Sequence, residues 1–172
     1  MQKQTIAILG ANTAEGILIA TGLAKSTHKI LLWANNDLAD AQWMVIDIQK
    51  HFPGADIEAV SCNVDASWEA DIIIAAVPFQ DLGPICESIK EVSTRKILVH
   101  ISEAAHEAAS LLCARILPHT KLVNVITEWS GKKSVVFVQS NNNEALEQVA
   151  ALLEEAGIKP ITTAYNEELE RA

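Results

Sequence analysis

Thr5-Ile6-Ala7-Ile8-Leu9-Gly10-Ala11-Asn12-Thr13-Ala14-Glu15-Gly16 is the stretch that decides the fold. Thr5–Leu9 is a β-type run, and Ala14–Lys25 after it reads as a helix with apolar Ile17, Leu18 and Leu23. Glycines at 10 and 16 punctuate the connection, in the spacing G-x-x-G-x-x-G with Thr13 in the middle place. A turn of this kind between strand and helix is where a Rossmann fold sets its phosphate loop. Gly10 permits the tight turn and Gly16 permits close contact between helix and sheet. Loop amides at the helix N-terminus can then face a pyrophosphate. Two glycines can equally serve a turn alone. The β-α-β order through Trp33 favours a dinucleotide site that uses Gly10, Asn12, Thr13 and Gly16.

Two residues weaken that site. Thr13 is bulkier than glycine, and a strained backbone there would cost ~1–2 kcal/mol. Glu15 in the first helical turn stabilises the helix dipole by ~0.3–1 kcal/mol and opposes a phosphate by a similar amount. Together they predict binding weakened by about ten- to a hundred-fold. The end of the second strand, Trp33-Ala34-Asn35-Asn36-Asp37, bears on cofactor choice, and no Lys or Arg lies between Lys29 and Lys50. A 2′-phosphate therefore has no cationic partner there, whereas Asn35 can hydrogen-bond a ribose hydroxyl or a phosphate. The same stretch can also simply cap the next helix. The residues lean toward NAD.

Working outward, Lys29–Trp33 is a second strand and Leu38–His51 a helix with Leu38, Gln42, Val45, Ile46 and Gln49 on one face. Ile57–Cys62 alternates, and Trp68 falls in a polar connector. Ile72–Val77, bounded by Asp71 and Pro78, is apolar enough to be a strand covered on both faces. Pro84–Val92 reads as a helix, Lys96–Ile101 as a strand, Ala104–Leu117 as a helix, and Lys121–Ile126 and Val135–Gln139 as strands. In Asn143–Ala156, Asn141 and Glu144 suggest the start, Leu146, Val149 and Leu153 the stripe, and Gly157 the stop. Lys159–Thr163 is a last strand. Alternating strands and helices predict one α/β domain over residues 1–172, a doubly wound parallel sheet of order 3-2-1-4-5-6 for its first six strands.

The chain has 172 residues, 49% of them hydrophobic, with 22 acidic against 13 basic residues and a net charge of −9. Such an acidic chain without a basic run should bind neither nucleic acid nor an anionic membrane. The apolar run Ile72–Phe79 is far short of the ~20 residues that span a bilayer. No leader segment is visible, and three scattered cysteines (Cys62, Cys86, Cys113) read as buried thiols in a reducing cytoplasm. No P-loop is present. Tyr165 is the only tyrosine and has Leu169 four residues on, so the Tyr-Lys pair of short-chain dehydrogenases is missing. His100, Glu103 and His106 lack the spacing of a helical metal site, so no metal is expected.

Several segments together resemble the deazaflavin-dependent NADP oxidoreductase family, dinucleotide-binding reductases related to the cytoplasmic domains of the STEAP metalloreductases. They are Ile6–Gly10 with Gly16, His28, Asp71–Pro78, and Val136–Ser140 followed by Asn143–Gly157; the similarity runs from Thr5 to about Arg171. The family loop is usually Gly-Gly-Thr-Gly, where this chain has Gly10-Ala11-Asn12-Thr13. Its 2′-phosphate clasp is usually Ser-Arg, where this chain has Ala34-Asn35. The resemblance implies NADP as cofactor, a flavin or deazaflavin acceptor, and a partner site involving Thr127. In such folds Val77, Pro78 and Phe79, then His100-Ile101-Ser102, then Thr127-Glu128-Trp129 would line the nicotinamide. Hydride transfer between stacked rings needs no protein acid or base, and no catalytic side chain is assigned.

The expectation is a cytoplasmic oxidoreductase that moves hydride between NAD or NADP and a flavin-like or other small acceptor. The rival is a non-catalytic dinucleotide sensor with a degenerate phosphate loop. The family's helical extension is mostly missing here, so a homodimer is expected to cover Leu122–Trp129 and the last helix. Trp129, in a short polar connector, either joins that contact or packs against Val135–Phe137.

Overall fold

The computed structural model describes residues 2–102, 107–130 and 133–164. Eight strands form one sheet: β1 (Thr5–Leu9), β2 (Lys29–Trp33), β3 (Ile57–Ala59), β4 (Ile72–Ala75), β5 (Ile97–Ser102), β6 (Lys121–Ser130), β7 (Lys133–Ser140) and β8 (Pro160–Ala164). Six helices connect them: α1 (Ala14–Leu23), α2 (Leu38–His51), α3 (Asn63–Glu69), α4 (Phe79–Ile89), α5 (Glu107–Ile116) and α6 (Asn143–Glu155). The strand order is β3-β2-β1-β4-β5-β6-β7-β8. The expected order of the first six strands is present, and every pairing among them is parallel. Gly10 follows the central strand, at the point where strand order reverses and such sheets open a crevice.

The reason for this arrangement is burial. Ile72–Ala75 is buried throughout, as is β1 beyond Thr5, because helices cover both faces of the sheet centre. One core holds Ile6, Ile8, Ile72 and Ile74 with Ile19, Leu23, Ile48 and Val149, from α1, α2 and α6. The other holds Ala7, Leu9, Ile73 and Leu98 with Ala66, Leu82, Ile89 and Cys113, from α3, α4 and α5. His28, 1% exposed, fastens the base of the sheet: its Nδ1 accepts the Gln4 amide at 3.0 Å, and its Nε2 lies 3.1 Å from the Glu155 carboxylate.

Several local expectations are corrected. The sheet is not parallel to its end, because β7 runs antiparallel to β6. No helix-length segment separates the two strands, so the chain can only return as a hairpin. Trp129 lies within β6, opposite Ser134, rather than in a connector, and its side chain is outside the described residues. Trp68 belongs to α3, one exposed side of a short helix. The helix placed at Pro84–Val92 begins at Phe79: Pro78 precedes it, and Pro84 falls inside it, at a helical turn whose φ proline already satisfies. On α1, Ile17 and Leu18 are exposed while Ile19, Ala20 and Leu23 are buried; on α2 the inner face is Ala41, Met44, Val45 and Ile48. Asn142, not Asn141, caps α6 through the Ala145 amide at 2.9 Å, and Gly157 at φ +82° ends it as expected. Cys86 and Cys113 are buried free thiols, but Cys62 is only half-buried.

Candidate functional site

The turn after β1 forms because the chain must leave the centre of a packed sheet within a few residues. Gly10 and Ala11 both donate their amides to the Trp33 carbonyl at 3.0 Å, which ties the loop to β2. Gly10 has φ +80°, and a Cβ there would lie 2.3 Å from the Ala76 carbonyl oxygen at the end of β4. A Cβ on Gly16 would lie 2.4 Å from the Gly10 carbonyl oxygen. Both glycines are therefore required by close backbone approach.

Thr13 sits between them in relaxed geometry, with φ −78° and ψ 163°. The expectation of strain at this residue is overturned: it is the N-cap of α1, a place that favours extended backbone and a hydroxyl. Its Oγ1 accepts the Gly16 amide at 3.1 Å and lies within donating distance of the Gly10 and Ala76 carbonyls, at 2.8 and 3.0 Å. The hydroxyl thus pins loop, helix and β4 together where the family pattern has glycine. The amides of Ala14 and Glu15 in the first turn have no intrahelical acceptor by helix geometry.

Beside the loop opens a cavity of about 400 Å³, lined by Thr13, Glu15, Ala76, Val77, Pro78, Phe79, His100, Ile101 and Ser102. It brings two of the three expected nicotinamide-lining groups together with the phosphate loop. Val77 is buried, Pro78 and Phe79 are exposed at its rim, and His100 is buried at the end of β5. The third group stands next door: Thr127 Oγ1 donates to the Ser102 carbonyl at 3.3 Å, while the side chains of Glu128 and Trp129 are outside the described residues. Glu103 and His106 also lie outside them. Among the described residues no cluster of His, Cys, Asp and Glu could hold a metal.

On the loop's other side, Asn35 Nδ2 donates to Asn12 Oδ1 at 3.2 Å, and Asn12 Nδ2 donates to Asp40 Oδ2 at 3.0 Å. Asn35 and Asn36 adopt left-handed φ values of 49° and 67°, which turn the chain so that Asp37 caps α2 by accepting the Asp40 amide at 3.0 Å. Capping and bridging are thus divided between Asp37 and Asn35. Asp40 was not picked out from the sequence: a carboxylate in a first helical turn looks like a complement to the helix dipole. Only the fold shows it bound to Asn12.

Charge is partitioned along the strand direction. Lys3 pairs with Asp56 at 2.9 Å, Lys29 with Glu69 at 2.7 Å, and Lys121 with Glu144 at 2.7 Å. Lys96 donates to the Ser67 and Trp68 carbonyls, and burial pushes its pKa down. The Glu69 hydrogen bond holds the Lys29 pKa up. These four cations stand at the strand starts, while Glu15, Asp37 and Asp40 stand at the opposite edge, around the loop. No Lys or Arg is among the residues lining the cavity.

Comparison with known proteins adds the following. A family model described as NADP oxidoreductase, coenzyme F420-dependent, matches residues 5–104. No curated protein matches the sequence. A solved structure from Arthrobacter sp. FB24, described as an F420-dependent NADP reductase, is 19% identical; the match covers 94% of this chain and 85% of that one, with a TM-score of 0.71. Pyrroline carboxylate reductase from Plasmodium falciparum, solved with NADP bound, is 18% identical over 98% of this chain and 60% of its own, with a TM-score of 0.70. Prephenate dehydrogenase from A. aeolicus, solved with NAD+, is 14% identical over 98% and 62%, with a TM-score of 0.75. The chain therefore spans only about three-fifths of the length of the latter two. At these identities the likeness shows a shared fold. Among the described residues no helix is long and apolar enough to cross a membrane.

Proposed function

Because the chain belongs to the coenzyme F420-dependent NADP oxidoreductase family, we propose that it binds a nicotinamide dinucleotide across the ends of β1, β2 and β4 as an oxidoreductase. The observation that carries this reading is the joining of the Gly10–Gly16 turn to the cavity that runs to Ser102. The cradle suits a dinucleotide, since the two glycines let the turn pack tightly against the end of β4 and the start of α1, and the first-turn amides of α1 have no intrahelical acceptor. Gly10, Thr13 and Gly16 would shape the loop, and the first-turn amides of α1 would face the phosphates. Asn12 and Asn35 would present amide groups to the adenosine ribose. Val77, Pro78 and Phe79 would wall the nicotinamide and exclude water from one side.

When bound, the dinucleotide supplies or accepts the hydride; the acceptor in this proposal is a flavin, a deazaflavin or another small molecule. The residues favour NAD over the NADP of the family description. Asp37 and Asp40 border the place of a 2′-phosphate, and neither has a cation beside it in the hydrogen bonds and ion pairs of the described residues. The site is proposed to work in the cytoplasm and in a homodimer that covers the region around Leu122–Trp129 and the last helix.

A second reading has its own observation. The Thr13 hydroxyl already satisfies the Gly16 amide, so the loop is complete without a ligand. A sensor that binds dinucleotide without turnover would use the same geometry. A thermal-shift screen across NAD+, NADH, NADP+ and NADPH tests the shared claim. Stabilisation by at least one is expected, and none by any, at millimolar ligand, refutes both readings. Oxidation of the bound reduced form by flavins or deazaflavin, followed at 340 nm, then separates enzyme from sensor.

A further inference from the structure

Glu15 is the only Asp, Glu, Lys or Arg among the residues lining the cavity. It is half-buried, and no other described residue gives it an ion pair or a hydrogen bond. Asp56, Glu69 and Glu144 each pair with a lysine, whereas Glu15 is left without a partner among the described residues at the cavity wall. A lone carboxylate facing a cavity is thus poised to act on the charge of whatever enters.

The two redox forms of a nicotinamide dinucleotide share their phosphates and sugars and differ in the ring, which is cationic when oxidised and neutral when reduced. Repulsion between Glu15 and the pyrophosphate is common to both forms and cancels in their ratio. Attraction to the ring exists in one form only. We propose that Glu15 selects the charge of the nicotinamide ring, so that this cavity holds the oxidised dinucleotide more tightly than the reduced one. The proposal rests on the dinucleotide reading above and adds a role for one side chain.

A cavity of about 400 Å³ is roughly 9 Å across, and two unit charges about 7 Å apart fit within it. At effective dielectric constants between about 20 and 80, their attraction corresponds to about a 3- to 50-fold difference in affinity. Tenfold selectivity would hold the bound couple about 30 mV more negative, making the bound reduced form a stronger hydride donor.

The test is calorimetric titration of the whole chain with NAD+ and with NADH at about pH 8, where a carboxylate is ionised and an imidazole neutral. Wild type is compared with Glu15→Gln and Glu15→Asp. In the Gln variant, affinity for NADH should rise through relief of the shared repulsion, and preference for NAD+ should fall about tenfold. The Asp variant, which keeps the charge, should retain more than half of that preference. A ratio that stays within twofold in the Gln variant overturns the proposal and leaves Glu15 as a complement to the helix dipole. If only NADP+ and NADPH bind, the same comparison is made with that pair; wild-type protein that binds none of the four overturns the dinucleotide reading and this inference with it. Thermal melting of each variant confirms that a folded protein was titrated.

Discussion

Replacing Thr13 by alanine tests the physical account of the loop most directly. One hydroxyl accepts the Gly16 amide at 3.1 Å and has two carbonyls, Gly10 and Ala76, at 2.8 and 3.0 Å to share its single proton. Loss of an N-cap hydroxyl costs about 1 kcal/mol, within a range of roughly 0.5–2. The lost donation to the half-buried carbonyls adds about 1 kcal/mol more. The sum is about 2 kcal/mol, which for a chain of this size lowers Tm by about 4–8 °C. Thr13→Ser keeps the hydroxyl and should recover most of the loss. Chemical denaturation and scanning calorimetry on the three proteins measure it directly. An alanine variant within about 0.5 kcal/mol of wild type, or a serine variant as damaged as alanine, would refute the assignment of Thr13 as the pin of the loop.

Other expectations follow from neighbouring geometry. Gly10→Ala places a Cβ against the Ala76 carbonyl in a left-handed conformation, and should cost more than about 2 kcal/mol in denaturant unfolding. Gly16→Val should push the start of α1 off the loop, and calorimetry should show dinucleotide affinity at least tenfold weaker in whatever fraction folds. Asp40→Ser with Asn35→Arg removes a carboxylate and adds a guanidinium fork, so the NADP-to-NAD affinity ratio should rise by about one to two decades. His28→Phe leaves the Gln4 amide without its buried acceptor, and should cost about 1–3 kcal/mol with hydrogen exchange accelerating first at the start of β1. For the homodimer, sedimentation showing only monomer at tens of micromolar protein would count against it.

The parts of the fold legible in the sequence are those whose signal is a run of residues. Ile72–Val77 is apolar over six places, and only a strand covered on both faces explains that, so the sheet centre followed at once. The misread elements are those where identity depends on a distant partner. Pro84 looks like a helix start because proline favours that place, yet the helix had already begun at Phe79, one turn earlier. The polar segment around Trp68 has a short helix because Ala66 and Ala70 reach the core under β1 and β2, and two alanines leave almost no periodic trace. Thr13 shows the same limit at the site. Its type suggested crowding, and only the nearness of the Ala76 carbonyl, 63 residues along, shows that the hydroxyl has work there. Asp40 was invisible for a like reason, since its partner Asn12 belongs to another β-α unit.

The separation of charge along the strands bears on how such a site can hold an anion at all. Lys3, Lys29, Lys96 and Lys121 sit at the strand starts and are engaged by carboxylates or carbonyls there, on the far side of the sheet from the loop. At the loop edge, Glu15, Asp37 and Asp40 present the opposite sign. A pyrophosphate arriving at that edge meets no guanidinium or ammonium among the lining side chains, and its attraction must come from backbone amides at the start of α1. Those amides are short-range and directional, so they reward a ligand seated at the turn and do little for one a few ångströms away. Affinity at this edge should therefore not fall with salt, since ions screen the repulsion from those carboxylates, whereas a lysine-lined phosphate site loses binding as ions screen it. An NADH affinity that holds level or rises between about 0.05 and 0.5 M salt is the expected result. A steep fall would place the bound phosphates against cations instead, away from the Gly10–Gly16 turn.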